Sequence, residues 1–316
     1  MSYIITGATG HIGNNLVKYL RKTDKNTAIT VLLRRKTDLF ADDNVLVKVV
    51  DFSDTSVLSE CICSNDTVIH LAGVIDLTDK RIDEMENINV RLTKTLCDIC
   101  LEKSARFIYV GSVDGIYKSG DEIITEPYDY YPEKVEGGYG KSKAKASKYV
   151  LNAINTHPEF KCAMILPSAV VGENDIKPSE VGKIITNCIK GKAEFGMKGG
   201  YNFVDVKDVC YCIQKVIELD KRGQYIVSGE NVSVKQMYAL INKAIGRRGT
   251  PIIIPTFLVK LAMPFVDVLT PITVKSLLEP HNYSSEKAVR ELGLKQISAE
   301  DAIKSSVIWL KENAEH

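Results

Sequence analysis

Tyr3-Ile4-Ile5-Thr6-Gly7-Ala8-Thr9-Gly10-His11-Ile12-Gly13-Asn14-Asn15-Leu16-Val17-Lys18-Tyr19-Leu20 is the stretch on which the reading of this chain turns. Tyr3 to Ile5 are a short apolar run expected to form a buried strand, and Asn14 to Leu20 have the spacing of an amphipathic helix with Leu16, Val17 and Leu20 inward. Between them Gly7, Gly10 and Gly13 are spaced G-x-x-G-x-x-G. Glycine reaches positive φ and lets backbone lie close to a ligand. A turn of this kind at a helix start offers unpaired N–H groups to a pyrophosphate. The spacing carries one residue more between the first two glycines than the standard dinucleotide fingerprint, and glycines alone would also suit a plain tight turn. The strand in front and the helix behind favour the dinucleotide. Thr6, Gly7, Thr9, Gly10, His11, Ile12 and Gly13 are therefore candidate cofactor contacts.

Outward from this unit, strand and helix signals alternate. Ala28–Leu33 is a continuous apolar run of the kind covered on both faces, Val45–Val50 follows as a third strand, and Ser53 or Asp54 is placed to cap the next helix. Thr67–Leu71 reads as a fourth strand, Glu84–Lys103 as one helix, Arg106–Val110 and Cys162–Leu166 as further strands, with a helix starting near Tyr139 between them. Repeated units of this size predict an α/β fold: a doubly wound parallel sheet with ligands at the carboxyl ends of its strands. Residues 1–171 are expected to form this Rossmann domain, with 203–229 returning to it. Residues 172–202 and 230–298 are expected to make a smaller substrate-binding lobe, and 299–316 a C-terminal helix.

Composition sets mild bounds. The chain has 316 residues, 45% of them apolar and 26% charged, with a net charge of +1. These values suit a globular protein and give no sign of a nucleic-acid or acidic-membrane partner. No apolar run reaches the roughly 18 residues of a membrane span. The opening strand leaves no room for a signal peptide, so a cytoplasmic protein acting on a small molecule is expected, with no nucleic acid and no membrane. Cys61/Cys63, Cys97/Cys100 and Cys210/Cys212 come in close pairs, but the last two pairs lie in helical patterns and no histidine pair follows at zinc-ligand spacing. Reduced core cysteines and no metal are expected.

The end of the second strand bears on the cofactor. An acidic residue there would hydrogen-bond a ribose and repel a 2′-phosphate; this chain has Arg34-Arg35-Lys36. A guanidinium can clamp a phosphate, so Arg34 and Arg35 point to NADP(H), with NAD(H) as the alternative. For the chemistry, Ser112 follows the fifth strand, and Tyr139 and Lys143 stand one helical turn apart on one face. A free phenol near pKa ~10 is a poor proton shuttle at neutral pH, and a neighbouring ammonium together with the positive charge of a nicotinamide is expected to lower it. Ser112 is placed to hold a substrate carbonyl oxygen. A lysine-rich surface helix with a satisfied tyrosine would account for the same helix if it stood alone.

Taken together, TGATGHIG (6–13), DFSD (51–54), HLAG (70–73), YVGS (109–112), YGKSKA (139–144), LPSAVVG (166–172), FVDVKDV (203–209) and SEKAVRELGL (285–294) make the chain resemble the extended short-chain dehydrogenase/reductases over nearly its whole length. The resemblance implies a Rossmann fold, an NAD(P)-linked reaction and a Ser112, Tyr139, Lys143 triad. It further implies that Asp51 and Phe52 flank the adenine, that Leu71, Ala72 and Gly73 pass behind the cofactor, and that Pro167 and Ser168 border the nicotinamide. Asn89 resembles the family's asparagine that supports a proton-relay water, and many relatives pair as homodimers through the tyrosine helix and its neighbour.

In the second half, Asp208 is expected to cap or tether the helix it opens, Tyr225–Gly229 to be a strand, Val234–Ile245 and roughly Glu300–Glu312 to be helices. The apolar stretch 251–280, with Phe257, Leu258, Leu261, Met263, Phe265, Val266, Val268 and Leu269, reads as packed helix or as a wall over an apolar substrate. Its context resembles the dihydroflavonol-reductase-like branch, which implies reduction of a ketone or aldehyde. Nucleotide-sugar epimerases and dehydratases share the triad, and some proteins of this fold bind the dinucleotide without turnover. Asp114, Tyr117 and Val171 are candidate substrate contacts.

Overall fold

The computed structural model describes residues 2–41, 44–118, 120, 123–192, 194–263, 270–278 and 282–313. The elements of the first half are β1 (Ser2–Thr6), α1 (His11–Thr23), β2 (Ala28–Leu33), β3 (Leu46–Val49), α2 (Thr55–Glu60), β4 (Thr67–His70), α3 (Ile82–Met85), α4 (Leu92–Glu102), β5 (Arg106–Val110), α5 (Gly138–Thr156) and β6 (Cys162–Pro167). Then follow β7 (Ala169–Val171), α6 (Glu180–Ile189), β8 (Phe195–Met197), β9 (Gly200–Asp205), α7 (Val206–Glu218), β10 (Gly223–Val227), β11 (Glu230–Ser233) and α8 (Val234–Ile245). The last are β12 (Ile252–Ile254), α9 (Thr256–Ala262), α10 (Pro271–Leu278), α11 (Glu286–Leu292) and α12 (Ala299–Glu312).

The central sheet runs β10-β6-β5-β4-β1-β2-β3 with every pairing parallel. Read from β3, this is the doubly wound Rossmann order, extended by β10 beyond β6. Its strands are apolar at successive positions because both faces are covered. Ile5 belongs to the core under α1 and α7, with Leu16, Leu20, Val209 and Ile213, whereas Ile4 belongs to the opposite core, with Leu96, Phe107, Val150 and Leu166. The sheet order reverses between β1 and β4, which is where such sheets open a ligand crevice.

A second lobe is built on β11-β9-β7 and the pair β12-β8. Its core joins Phe203, Ile185, Met237 and Ile241 to Ile303, Val307 and Leu310 of α12, so the C-terminal helix is part of this lobe rather than an appendage. Three boundaries differ from those expected, the first being that Ala169–Val171 already pair in the small sheet. Phe203 to Asp205 pair in the small sheet, and the chain returns to the main domain only at α7, which packs on α1. Residues 286–294 return as well, since Ala288, Leu292 and Leu294 lie in the core under α1. Of the expected apolar wall, Ile252–Ile254 is a strand, Thr256–Ala262 and Pro271–Leu278 are helices, and Phe265, Val266, Val268 and Leu269 lie outside the described residues. Among the described residues no helix is long and apolar enough to cross a membrane.

Candidate active site

Gly7 follows β1 at φ 73, and a Cβ there would stand 2.4 Å from the Ala72 nitrogen, so the turn after β1 lies against the Leu71–Gly73 segment at the switch point. Gly10 is the N-cap of α1 and provides no side-chain cap. The first-turn N–H groups, which a serine or aspartate would normally satisfy, are left for an anion. Gly10 is exposed, Thr9, His11 and Ile12 are half-buried, and Gly13 is buried. His11 is tied by Nε2–H to the Glu173 carbonyl at 2.9 Å.

Thr6 is fully buried, and its side chain acts through its neighbours. The Thr93 hydroxyl donates to the Asn89 carbonyl at 2.7 Å, so it accepts from His70 Nε2–H at 2.9 Å. His70 Nδ1 then accepts from the Thr6 hydroxyl at 2.7 Å, and Thr6 Oγ1 faces the Ala72 N–H at 3.4 Å. Burial, with the Lys143 charge adding to it, holds His70 down to about 3, so the ring is neutral and this polarity is fixed. A buried chain of hydrogen bonds thus joins the crevice floor to Asn89. The sequence reading passed over His70 and Thr93; the histidine in HLAG was their only trace.

Asn89 lies in a π-helical turn, Glu86–Arg91, inside what the periodicity reads as one helix. Its Oδ1 accepts the Val74 N–H at 2.7 Å, while Nδ2 donates to the Val74 carbonyl and to Ser142 Oγ, both at 2.9 Å. Ser142 Oγ donates in turn to the Tyr139 carbonyl at 2.7 Å. The side chain of Asn89 therefore staples the loop after β4 to the first turn of α5. Asp79 adds a second staple, accepting the Gly138 N–H at 2.7 Å.

Ser112 caps a short 3-10 turn, Val113–Gly115, accepting the Asp114 N–H at 3.1 Å and facing the Asp114 carboxylate at 3.2 Å. This turn touches α5 because both sides lack a side chain. A Cβ on Gly140 would come within 2.9 Å of the Asp114 carbonyl, and one on Gly115 within 2.9 Å of the Ala144 nitrogen. Tyr139 is consequently brought close to Ser112, whose hydroxyl acts on the phenol. Lys143 Nζ reaches the Val110 carbonyl at 3.3 Å and lies 5.5 Å from the Tyr109 ring centroid. A Cβ on Gly73 would meet Lys143 Nζ at 3.4 Å and Asn89 Oδ1 at 3.5 Å. Ser112, Tyr139, Lys143 and Asn89 thus converge beside the crevice.

Among the protein's own groups, the Lys143 ammonium is not what sets the Tyr139 phenol. Burial raises the Tyr139 phenol above its ordinary value and Asp114 raises it further, with only the Ser112 hydroxyl opposing. Lys143 lowers nothing there; it is itself pushed down to about 8 by burial, against the pull of Asp114. Asp114 also pairs with Lys118 at 3.6 Å, and the Lys118 ammonium stands 5.7 Å from the Tyr283 ring centroid. Lys118 and Tyr283 were not singled out in the sequence. Tyr117 is 42% exposed with Lys134 over its ring, while Val171 is 3% exposed and packs in the second core. Val171 therefore shapes the lobe from within.

The other expected cofactor residues lie around the crevice rim. Arg34 and Arg35 are exposed after β2, and Arg34 pairs with Glu84 at 3.5 Å. Asp51 is exposed, its carboxylate held by the Ser53 N–H at 2.9 Å, and Phe52 packs half-buried on the core. Leu71 is half-buried, Ala72 and Pro167 are buried and Gly73 is open. The Ser168 hydroxyl is buried without a hydrogen-bond partner among the described residues. An uncapped helix start, a turn that any Cβ would fill and an orphaned hydroxyl fit a dinucleotide. All described cysteines are free thiols, and those at 97, 100, 162, 188, 210 and 212 are buried.

The fold and site define an NAD(P)-linked oxidoreductase of the extended short-chain dehydrogenase/reductase kind. Residues 3–228 match the NAD dependent epimerase/dehydratase family, and the chain belongs to that family. A putative dihydroflavonol 4-reductase of Synechocystis is 27% identical over 98% of this chain and 95% of its own length. Sterol demethylase protein B of Methylococcus capsulatus is 25% identical over 99% of each. The solved UDP-glucose 4-epimerase of Thermotoga maritima shares the fold, with a TM-score of 0.82 at 17% identity, over 99% of this chain and 100% of that one.

Proposed function

We propose that this protein is an NADP(H)-dependent reductase of a ketone or aldehyde on a small or apolar substrate, with Ser112, Tyr139 and Lys143 as its catalytic residues and Asn89 supporting them. The observation that carries the reading is the contact of the Ser112 turn with the Tyr139–Lys143 face of α5 across Gly115 and Gly140. Bound NADP(H) supplies the hydride. Burial and Asp114 keep the Tyr139 phenol protonated at neutral pH, and the protonated form is what donates to the oxygen of a carbonyl being reduced. Ser112 orients that oxygen, and Lys143 replenishes the proton. Gly7, Gly10 and Gly13 would hold the pyrophosphate, with Asp51, Phe52, Ala72, Gly73, Pro167 and Ser168 along the rest of the cofactor. Arg34 and Arg35, exposed where a 2′-phosphate would lie, support the phosphorylated dinucleotide. The two relatives, a putative reductase and a sterol demethylase protein, support a carbonyl substrate of apolar character.

A second reading, nucleotide-sugar epimerisation or dehydration, is favoured by the Asp114 carboxylate beside Ser112. NADPH consumption across aldehydes and ketones, with product analysis on nucleotide sugars, separates the two. In the reductase, Tyr139→Phe abolishes turnover while cofactor affinity stays within about twofold, and Arg34→Ala raises the KM for NADPH far more than that for NADH. Turnover unchanged in Tyr139→Phe would refute the mechanism, and equal KM effects would refute the cofactor choice. Dinucleotide binding with no turnover on any substrate class would leave a non-catalytic binder.

A further inference from the structure

The parallel pair β8–β12 sets Phe195 beside Ile252 and Met197 beside Ile254. One end of this face is covered, since Met197 packs with Val259 of α9 and Val274 of α10, with Ile254 and Met263 against them. The other end is open: Phe195 is 54% and Ile252 59% exposed. α9 extends the apolar surface. At about 100° per residue, Val259 and Met263 share the covered side of the helix, and Phe257, Leu258 and Leu261 fall on the opposite side. Those three are 63%, 44% and 68% exposed. A surface helix of a globular protein turns its apolar stripe inward and its polar stripe to water; α9 is apolar on both sides.

The exposed charge on the two stretches that carry this patch has one sign. Lys190, Lys192 and Lys198 bracket β8, and Arg247, Arg248 and Lys260 bracket β12 and α9. The single carboxylate in these two stretches, Glu194, is buried and paired with Arg247. Lys190, Lys192, Lys198, Arg248 and Lys260 are exposed and, among the described residues, form no ion pair. A Cβ on Gly191 would lie 4.0 Å from the Arg247 guanidinium, so the two basic segments meet.

We propose that this face is a peripheral membrane-contact surface whose partner is a bilayer carrying anionic headgroups. Phe195, Ile252, Phe257, Leu258 and Leu261 enter the headgroup–acyl boundary, and the surrounding lysines and arginines lie among the phosphates. An apolar patch rimmed by cations is the composition that such a surface selects. A second copy of this chain is a poorer occupant, because two-fold pairing lays the patch on itself and sets cations against cations. The net charge of +1 averages the patch away, and the contact needs no spanning helix. It stands apart from the reading of the reaction.

Flotation of the full chain with vesicles tests it, using phosphatidylcholine alone and phosphatidylcholine mixed with phosphatidylglycerol. The protein should float with the anionic vesicles at low salt and be released at high salt. Phe257→Glu and Leu261→Glu should each cut the bound fraction about tenfold or more, with melting temperature unchanged because both positions are exposed. Lys25→Glu, a charge change on the α1–β2 connection, should leave binding as it was. Failure to float with anionic vesicles at low salt, equal binding to phosphatidylcholine alone, or undiminished binding by the α9 variants would each overturn the proposal. So would a concentration-dependent dimer that Leu261→Glu dissolves while vesicles stay bare.

Discussion

Lys143 is the residue whose environment reports most directly on the chemistry. Its ammonium is buried against the Val110 carbonyl, and burial brings it down to about 8. Below that value it is charged and can pass a proton toward Tyr139; above it the amine is neutral and the relay has nothing to give. In the free enzyme, kcat/KM for carbonyl reduction should therefore fall with rising pH around 8, by roughly tenfold per unit beyond it. Lys143→Arg, which cannot lose its proton, should remove that limb while lowering the plateau. A wild-type profile flat to pH 10 would show that Lys143 does not supply the proton. The Tyr139 phenol cannot be the source of the limb, since burial and Asp114 hold it above its ordinary value.

Among the elements, the distance between the Ser112 turn and α5 sets the site, and two glycines set that distance. Gly115 is the cleaner handle, because it needs no positive φ and its missing Cβ faces α5 backbone. Gly115→Ala should push α5 back by a few tenths of an ångström and cost at least tenfold in kcat, with dinucleotide affinity nearly unchanged. Unchanged kcat would mean that the contact is not limiting. This spacing was only partly legible in the chain. Periodicity and turn residues marked Ala28–Leu33, Arg106–Val110 and Val234–Ile245 to the residue, because a strand covered on both faces and a helix with a serine cap each leave a local pattern. The π-turn left none, since Glu86–Arg91 keeps the apolar rhythm of the helix around it. Nor did the cap of α7. Asp205 accepts the Lys207 N–H, while Asp208 accepts the Ile297 N–H from a segment remote in the chain. That Ser112, Tyr139 and Lys143 come together could be expected from the combined motifs. The charge around them could not, because Asp114 acts on Tyr139 and Lys143 through a contact made by tertiary packing.

At the level of the whole molecule, the chain crosses repeatedly between its lobes. β6 runs through Ser168, whose N–H bonds the Val227 carbonyl of β10, straight into β7. β9 leads back through α7, β10 leads out to β11, and α11 returns before α12 closes the second core. Asp208 ties α7 to Ile297 just ahead of α12, and Ser285 bonds the Ser228 N–H at 2.7 Å. Lobes stitched in this way should unfold together rather than in sequence, although chains of this length often do not. Ile303 is fully buried in the second core, so Ile303→Ala should cost about 2–5 kcal/mol. The single tryptophan, Trp309, packs against that same core and reports on it by fluorescence, while far-ultraviolet circular dichroism reports on the helices of both lobes. In denaturant the two signals should move together in the wild type and in Ile303→Ala. A dinucleotide bound in the first lobe should raise both midpoints by the same amount. If tryptophan fluorescence changed first, with the bound dinucleotide leaving its midpoint where it was, the lobes would be independent and the crossings would carry no coupling.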